Sequence, residues 1–187
     1  MTDLLQRVQH AIPGAEAWID DLLAAHRADS VRVIDTEFGR LRDYFPASLL
    51  EAARVATVEE LPVLPVAHYG VPEFEAMANM PAAAITFGNM FFLRDGDSSE
   101  GIHFHELVHV VQWRVLGVRD FLLTYAAGLL QHGYADSPLE AIAFELQGRF
   151  DHREPIENIL ALVEAHAIGA RASAAALFAR HGAAFDV

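Results

Sequence analysis

The stretch GIHFHELVHVVQW, residues 101–113, places three histidines and a glutamate among apolar residues. Residues 105–109 read HELVH and follow the pattern HExxH. On an α-helix each residue turns by about 100°, so His109 projects about 40° and Glu106 about 100° from His105. Two adjacent imidazoles beside a carboxylate are typical of a zinc ion held next to a general base. The stretch therefore predicts His105 and His109 as metal ligands and Glu106 as the catalytic base.

The other polar side chains of this helix are not expected to bind the metal ion. His103 falls about 160° from His105, on the far side of the helix, so we expect it to pack or to be solvated. Gln112 returns to the ligand side and suits a supporting or packing role better than ligation. The competing interpretation is a core helix with satisfied histidines. A glutamate among apolar positions is costly to bury without a partner, which favours a metal.

A catalytic zinc ion usually has three protein ligands and one open position. Six residues after His109 stands Val115, which excludes a third histidine at that spacing. Glu140 lies 140 − 109 = 31 positions after His109, which leaves room for one helix and a turn. We predict Glu140 as the third ligand, and His132 stays open as an alternative.

Two features compete with this role for Glu140. Glu145 lies about 140° around the same predicted helix, so the two glutamates cannot both face the metal. The sequence SPLE, residues 137–140, also matches a capping box with Ser137 as the N-cap. In that alternative, Glu140 only satisfies a backbone N–H.

Three sequence segments resemble the gluzincin metallopeptidases, which carry HExxH on one helix and a ligand glutamate on a later one. They are HELVHVVQW, Gly133-Tyr134 and SPLEAIAFE. More narrowly they resemble short bacterial gluzincin-like domains with an active helix reading HExxHVVQ, and related domains occur in toxin-associated and injection-system proteins. The resemblance covers about residues 84–147. It implies His105, His109 and Glu140 as zinc ligands and Glu106 as the general base.

The chain departs from this pattern at Phe144, where some gluzincins carry an acid that orients a ligand histidine. Asp136 or Glu145 would then have to take that part. Peptide hydrolysis also needs a donor for the developing oxyanion, and Tyr134 is our candidate. Tyr125 and His132 are its alternatives, and Tyr134 could instead be a loop aromatic that packs on the core.

The expected fold class is α+β, mostly helical and zincin-like, with a small sheet packed beside the HExxH helix. We expect a single domain over residues 1–187, divided into a helical part (1–60), a catalytic core (61–150) and C-terminal helices (151–187). Apolar spacing predicts the following helices: 4–12, 15–26, 31–45, 101–116, 119–132 and 138–150. Strands are expected at 54–58 and 82–94, the latter with a bulge or a close backbone approach at Gly88. Residues 85–91 are expected to form an edge able to pair with a substrate main chain.

Composition narrows the function classes. The net charge of −13 disfavours nucleic acid and membrane surfaces as partners. The absence of cysteine excludes disulfides and thiolate ligands. The N-terminus does not read as a signal peptide, and no apolar run reaches the roughly 20 residues of a membrane span, so a cytoplasmic location is expected.

The leading hypothesis is a zinc-dependent metallopeptidase that acts on a peptide or protein substrate. The alternatives are a zincin-like module that no longer cuts and serves in binding or assembly, and a helical protein with a structural zinc ion. Glu106 has no ligand role to retain, which disfavours the non-cutting module, and three ligands rather than four argue against a structural ion.

Overall fold

The computed structural model describes residues 1–78, 82–183 and 185. Six helices lie in this part of the chain: α1 (Thr2–His26), α2 (Ala47–Ala52), α3 (Glu75–Ala78), α4 (Glu100–His132), α5 (Pro138–Asp151) and α6 (Ile159–Arg180). The strands are β1 (Val31–Arg32), β2 (Arg54–Val58), β3 (Ala84–Phe87) and β4 (Met90–Arg94). The expected α+β class, mostly helical with a small sheet, is confirmed.

The four strands form one mixed sheet in the order β1-β2-β4-β3. Strand β2 runs parallel to β4, and the other two neighbouring pairs are antiparallel. Strand β3 is an end strand of this order and packs against α4. The sheet therefore presents an edge strand beside the helix that carries HExxH.

The single strand expected over residues 82–94 is wrong, because β3 and β4 form a hairpin in which Phe87 pairs with Met90. Gly88 and Asn89 make the two-residue turn, and Gly88 has a φ of 58°. Tight hairpin turns of this length need positive φ, which glycine adopts without steric cost. Gly88 is thus a turn residue and not a bulge.

The helix expected over residues 31–45 is also wrong. The structure has β1 there, followed by 3-10 turns at Val33–Asp35 and Gly39–Asp43. The Thr36 hydroxyl donates to the Val33 carbonyl over 2.7 Å and ends the first turn. Such side-chain bonds to the backbone compete with helix formation. The apolar spacing of this segment reflects burial without a helix.

The two helices expected over residues 4–12 and 15–26 are one helix, since α1 continues through Pro13. Pro13 itself is exposed, while Ile12 and Ala15 on either side are buried. An interior proline costs about 3 kcal/mol or more in a helix. Packing of the apolar side of α1 offsets this cost.

Helix α4 is the centre of the fold and packs against α1, α5, α6 and β3. Phe104 on its first half stacks on Phe150 of α5, with ring centroids 4.3 Å apart. At Gly117 the backbone leaves the helical region with a φ of 73°, which bends α4 into the two halves expected from the sequence. The bend returns the second half of α4 towards the start of α5.

Of the helices in the described ranges, α6 alone is long and apolar enough to cross a membrane. This is weak evidence for a span, because the core helix of a soluble protein meets the same criteria. Val163, Ala167 and Phe178 of α6 are buried in the core, and α6 packs against α4 and α5.

Gly128 allows the second half of α4 to approach α5 closely. A Cβ at this position would lie 3.1 Å from Pro138 Cδ and 3.2 Å from Ser137 Cβ. These two residues precede Glu140, so the approach helps to set where that carboxylate lies.

We expect Gly128→Ala to be less stable than the matched variant Gly169→Ala, whose added Cβ meets nothing within 4 Å. Both changes gain about 1 kcal/mol of helix propensity. At Gly128 a crowding cost of about 1–3 kcal/mol opposes the gain. Urea unfolding of both variants measures the difference, and equal stabilisation by both would contradict the close approach.

Candidate metal centre

Three side chains from two helices converge at one point. His105 and His109 project from the first half of α4, and Glu140 projects from the first turn of α5. The Nε2 atoms of the two histidines are 3.1 Å apart. Glu140 Oε2 lies 3.5 Å from His105 Nε2 and 3.4 Å from His109 Nε2. All three residues are buried, and together they form a group able to hold a metal ion.

The distances between the three side-chain atoms fit the tetrahedral coordination of a zinc ion. Zinc–nitrogen and zinc–carboxylate bonds of about 2.0–2.1 Å at tetrahedral angles separate neighbouring ligand atoms by about 3.3–3.4 Å. Glu140 Oε2 is also buried without a hydrogen-bond partner. A buried carboxylate oxygen is costly to leave unsatisfied, and a cation between the three atoms removes that cost. The residues present therefore fit the ion.

Gln112 orients His109, which agrees with the supporting role expected for it. His109 Nδ1 lies 2.8 Å from Gln112 Oε1, and Gln112 Nε2 donates to the Leu139 carbonyl over 2.9 Å. Because the amide oxygen accepts from Nδ1–H, the neutral form of His109 carries its lone pair on Nε2, facing Glu140. The same amide ties α4 to the residue before Glu140.

Tyr125 holds the other carboxylate oxygen of Glu140. Its hydroxyl donates to Glu140 Oε1 over 2.7 Å. The capping-box alternative for Glu140 is wrong, because Ser137 makes no side-chain cap and its hydroxyl is buried without a partner. Glu140 faces the two histidines instead.

Glu106 lies beside this group but outside it. Its carboxylate is buried, and Oε2 accepts a hydrogen bond of 2.6 Å from the Thr86 hydroxyl of β3. Thr86 was not among the residues predicted for the site. The available signal was a lone hydroxyl in the apolar strand AITF, directly before the turn at Gly88.

Opposite charges dominate the electrostatics of the centre. Burial lowers the pKa of His109, but the Glu140 carboxylate, together with Glu106 and Gln112, outweighs burial and raises this pKa to about 9. Burial raises the pKa of Glu140, but His109 and His105 outweigh it and hold the pKa well below its usual range. Glu140 is therefore ionised at neutral pH, as a metal ligand must be.

The remaining predicted residues separate into two groups. Tyr134 lines the same cavity as His105, and burial followed by the Glu140 charge raises the pKa of its phenol. His132, Asp136 and Glu145 are exposed and lie outside that cavity. Tyr134 thus lies at the cavity, as the predicted donor has to, whereas the positions of Asp136 and Glu145 do not allow them to orient a ligand histidine.

Phe144 covers the histidine that lacks a supporting hydrogen bond. Its ring centroid lies 4.7 Å from that of His105, and His105 Nδ1 is buried without a partner. His103 packs away from the centre, against Phe91 and Phe38, with Nδ1 2.9 Å from the Ser99 carbonyl. The packing role expected for His103 agrees with this position.

A cavity of about 220 Å³ opens from the metal centre into apolar surroundings. His105, Glu106, His109, Tyr134 and Glu140 form its polar end. Its apolar lining comes from α1, the segment 63–74, β3 and the second half of α4, and includes Ile12, Leu64, Phe74, Ile85, Phe121 and Leu129. Among the described residues that line it there is no lysine or arginine.

Comparisons of the chain with protein-family models, with curated proteins and with solved structures give no match.

We expect zinc to raise the melting temperature of the protein, and Glu140→Ala to abolish this rise. Zinc at 100 times its Kd stabilises by about 2.7 kcal/mol, or about 5–10 °C at this chain length. Glu145→Ala is the matched control, since Glu145 lies on the same helix but is exposed. Thermal denaturation with and without zinc measures the shift. A shift retained in Glu140→Ala and lost in Glu145→Ala would reverse the ligand assignment.

Proposed function

We propose that the protein is a zinc-dependent metallopeptidase with a zincin-like arrangement of sheet and active helix. The observation that carries the proposal is the convergence of His105, His109 and Glu140 with a separate carboxylate, Glu106, on the same cavity. Three ligands leave a zinc ion an open position, which is typical of catalytic and not of structural sites. Glu106 supplies the base that such a site requires.

The donor set supports zinc over harder cations. Two imidazole nitrogens and one carboxylate suit zinc, whereas calcium and magnesium prefer shells made of oxygen. His105, His109 and Glu140 would hold the ion. When bound, it supplies Lewis-acid polarisation of the scissile carbonyl and acidifies a water molecule.

Glu106 carries the proton transfers. Its Oε2 is engaged by Thr86, so Oε1 is free to accept a proton from the water that attacks the scissile carbonyl. Glu106 then transfers this proton to the amide nitrogen as the carbon–nitrogen bond breaks. The base is restored, and both products leave as in ordinary peptide hydrolysis.

Tyr134 is the proposed donor to the developing oxyanion. It lines the cavity with His105 and Glu140, and its raised pKa keeps the phenol protonated at neutral pH. Tyr125, the alternative, already donates its proton to Glu140.

The cavity supports an apolar segment of a peptide as the substrate. Strand β3 is an edge strand, and its residues Ile85 and Phe87 line the cavity, so a substrate chain can pair with its backbone. An apolar side chain beside the scissile bond would enter the apolar part of the cavity. The lack of lysine and arginine in the described lining disfavours recognition of a terminal carboxylate, which supports cleavage within a chain.

We expect Glu106→Gln to retain zinc and to lose cleavage of casein or of a peptide library. The amide keeps the size of the side chain but cannot accept the proton, and general-base catalysis contributes about 10²–10⁴-fold. Zinc content and the cleavage rate are measured on the same preparations. Cleavage by both proteins would exclude Glu106 as the base, and bound zinc without any cleavage would favour a non-cutting binding or assembly module.

Peptides with leucine or phenylalanine beside the scissile bond should be cleaved faster than matched peptides with aspartate or lysine there. Burial of a large apolar side chain contributes about 1.5–3 kcal/mol, so kcat/KM should differ by about 10–100-fold. Mass spectrometry of a positional peptide series measures the preference. A preference for charged residues would contradict binding in the apolar cavity.

A further inference from the structure

Two hydroxyl groups each occupy one oxygen of a carboxylate at the metal centre. The Thr86 hydroxyl donates to Glu106 Oε2 over 2.6 Å. The Tyr125 hydroxyl donates to Glu140 Oε1 over 2.7 Å. Both carboxylates are buried, with exposed fractions of 5% for Glu106 and 4% for Glu140. Each is therefore left with one oxygen outside these two bonds.

We propose that Thr86 and Tyr125 are positioning residues that give the two carboxylates their different roles. Thr86 leaves Oε1 of Glu106 for proton transfer, and Tyr125 leaves Oε2 of Glu140 for the metal. Only the effect on turnover rests on the proposed peptidase function. The effects on metal affinity and on stability do not need a substrate.

The physical basis is the rotation of a carboxylate about its last carbon–carbon bond. Either oxygen of a free carboxylate can face a given partner, and a charge-assisted hydrogen bond to one oxygen fixes the choice. Removal of the donor also leaves a buried oxygen unsatisfied. A positioning hydroxyl therefore acts on orientation and on charge without touching the metal or the substrate.

Both donors are held by rigid surroundings. Tyr125 ends a stack in which the Trp113 and Phe121 rings lie 3.7 Å apart and the Phe121 and Tyr125 rings lie 5.7 Å apart, all nearly parallel. This stack crosses the bend at Gly117 and joins the two halves of α4. Thr86 is paired with Phe91 in the β3–β4 hairpin.

The first test is zinc affinity, measured by competition with a chelator. Tyr125→Phe removes only the hydroxyl and should weaken zinc binding by about 10–100-fold, because it acts on a ligand carboxylate. Tyr44→Phe is the matched control, since Tyr44 packs on Phe104 and Phe150 away from the centre. Thr86→Val should bind zinc as the wild type does. Unchanged affinity in Tyr125→Phe overturns the role of Tyr125.

The second test is a double-mutant cycle on the melting temperature, in excess zinc. Thr86→Val should lower the melting temperature in the wild type but have little effect in the Glu106→Ala background, where its partner is absent. Thr124→Val is the matched control, because the Thr124 hydroxyl is buried without a hydrogen-bond partner. Equal effects of Thr86→Val in both backgrounds overturn the coupling to Glu106.

The third test is turnover. Thr86→Val should lower kcat by about 10–100-fold with little change in KM, since a misplaced base slows the chemical step. Thr86→Ser retains the hydroxyl and should restore most of kcat. A loss shared equally by Thr86→Val and Thr86→Ser contradicts the role of the hydroxyl. If the wild type cleaves no substrate, the peptidase proposal fails. The affinity and stability tests still decide whether Thr86 and Tyr125 are positioning residues.

Discussion

The burial of Glu140 against two imidazoles is the interaction on which the rest of the centre depends. A carboxylate that is only 4% exposed needs compensating partners, and both oxygens of Glu140 face polar groups. His105 and His109 approach one oxygen, and Tyr125 donates to the other. The chain carries a net charge of −13, so such a buried acid would otherwise add to strong self-repulsion.

This requirement explains the close docking of α5 on α4. Glu140 reaches the histidines only if the first turn of α5 lies directly on α4. Gly128 provides the space, and Gln112 ties the backbone of Leu139 to His109. The bend at Gly117 brings Tyr125 and Gly128 back towards the first turn of α5. Gly128 and the Gln112 amide thus position Glu140, which lies 31 residues after His109 in the chain.

The sequence predicted the parts of the centre that depend on local geometry. Residues four apart on a helix share a face whatever the tertiary fold, so His105 and His109 could be paired from their spacing. Thr86 and Tyr125 could not be assigned their contacts, because both reach the carboxylates across the tertiary fold. The helix predicted at residues 31–45 was wrong for a related reason. Apolar spacing indicates which residues are buried, whereas the backbone conformation here depends on local hydrogen bonds such as that of the Thr36 hydroxyl.

Strand β3 combines two features of the site. It is the edge of the sheet, and it carries the hydroxyl that bonds to Glu106. On the proposed mechanism, a peptide that pairs with this strand would stiffen the backbone on either side of Thr86. Binding of a peptide in the cavity would then increase the fraction of molecules in which Glu106 is correctly oriented. In the protein without substrate that fraction would be lower.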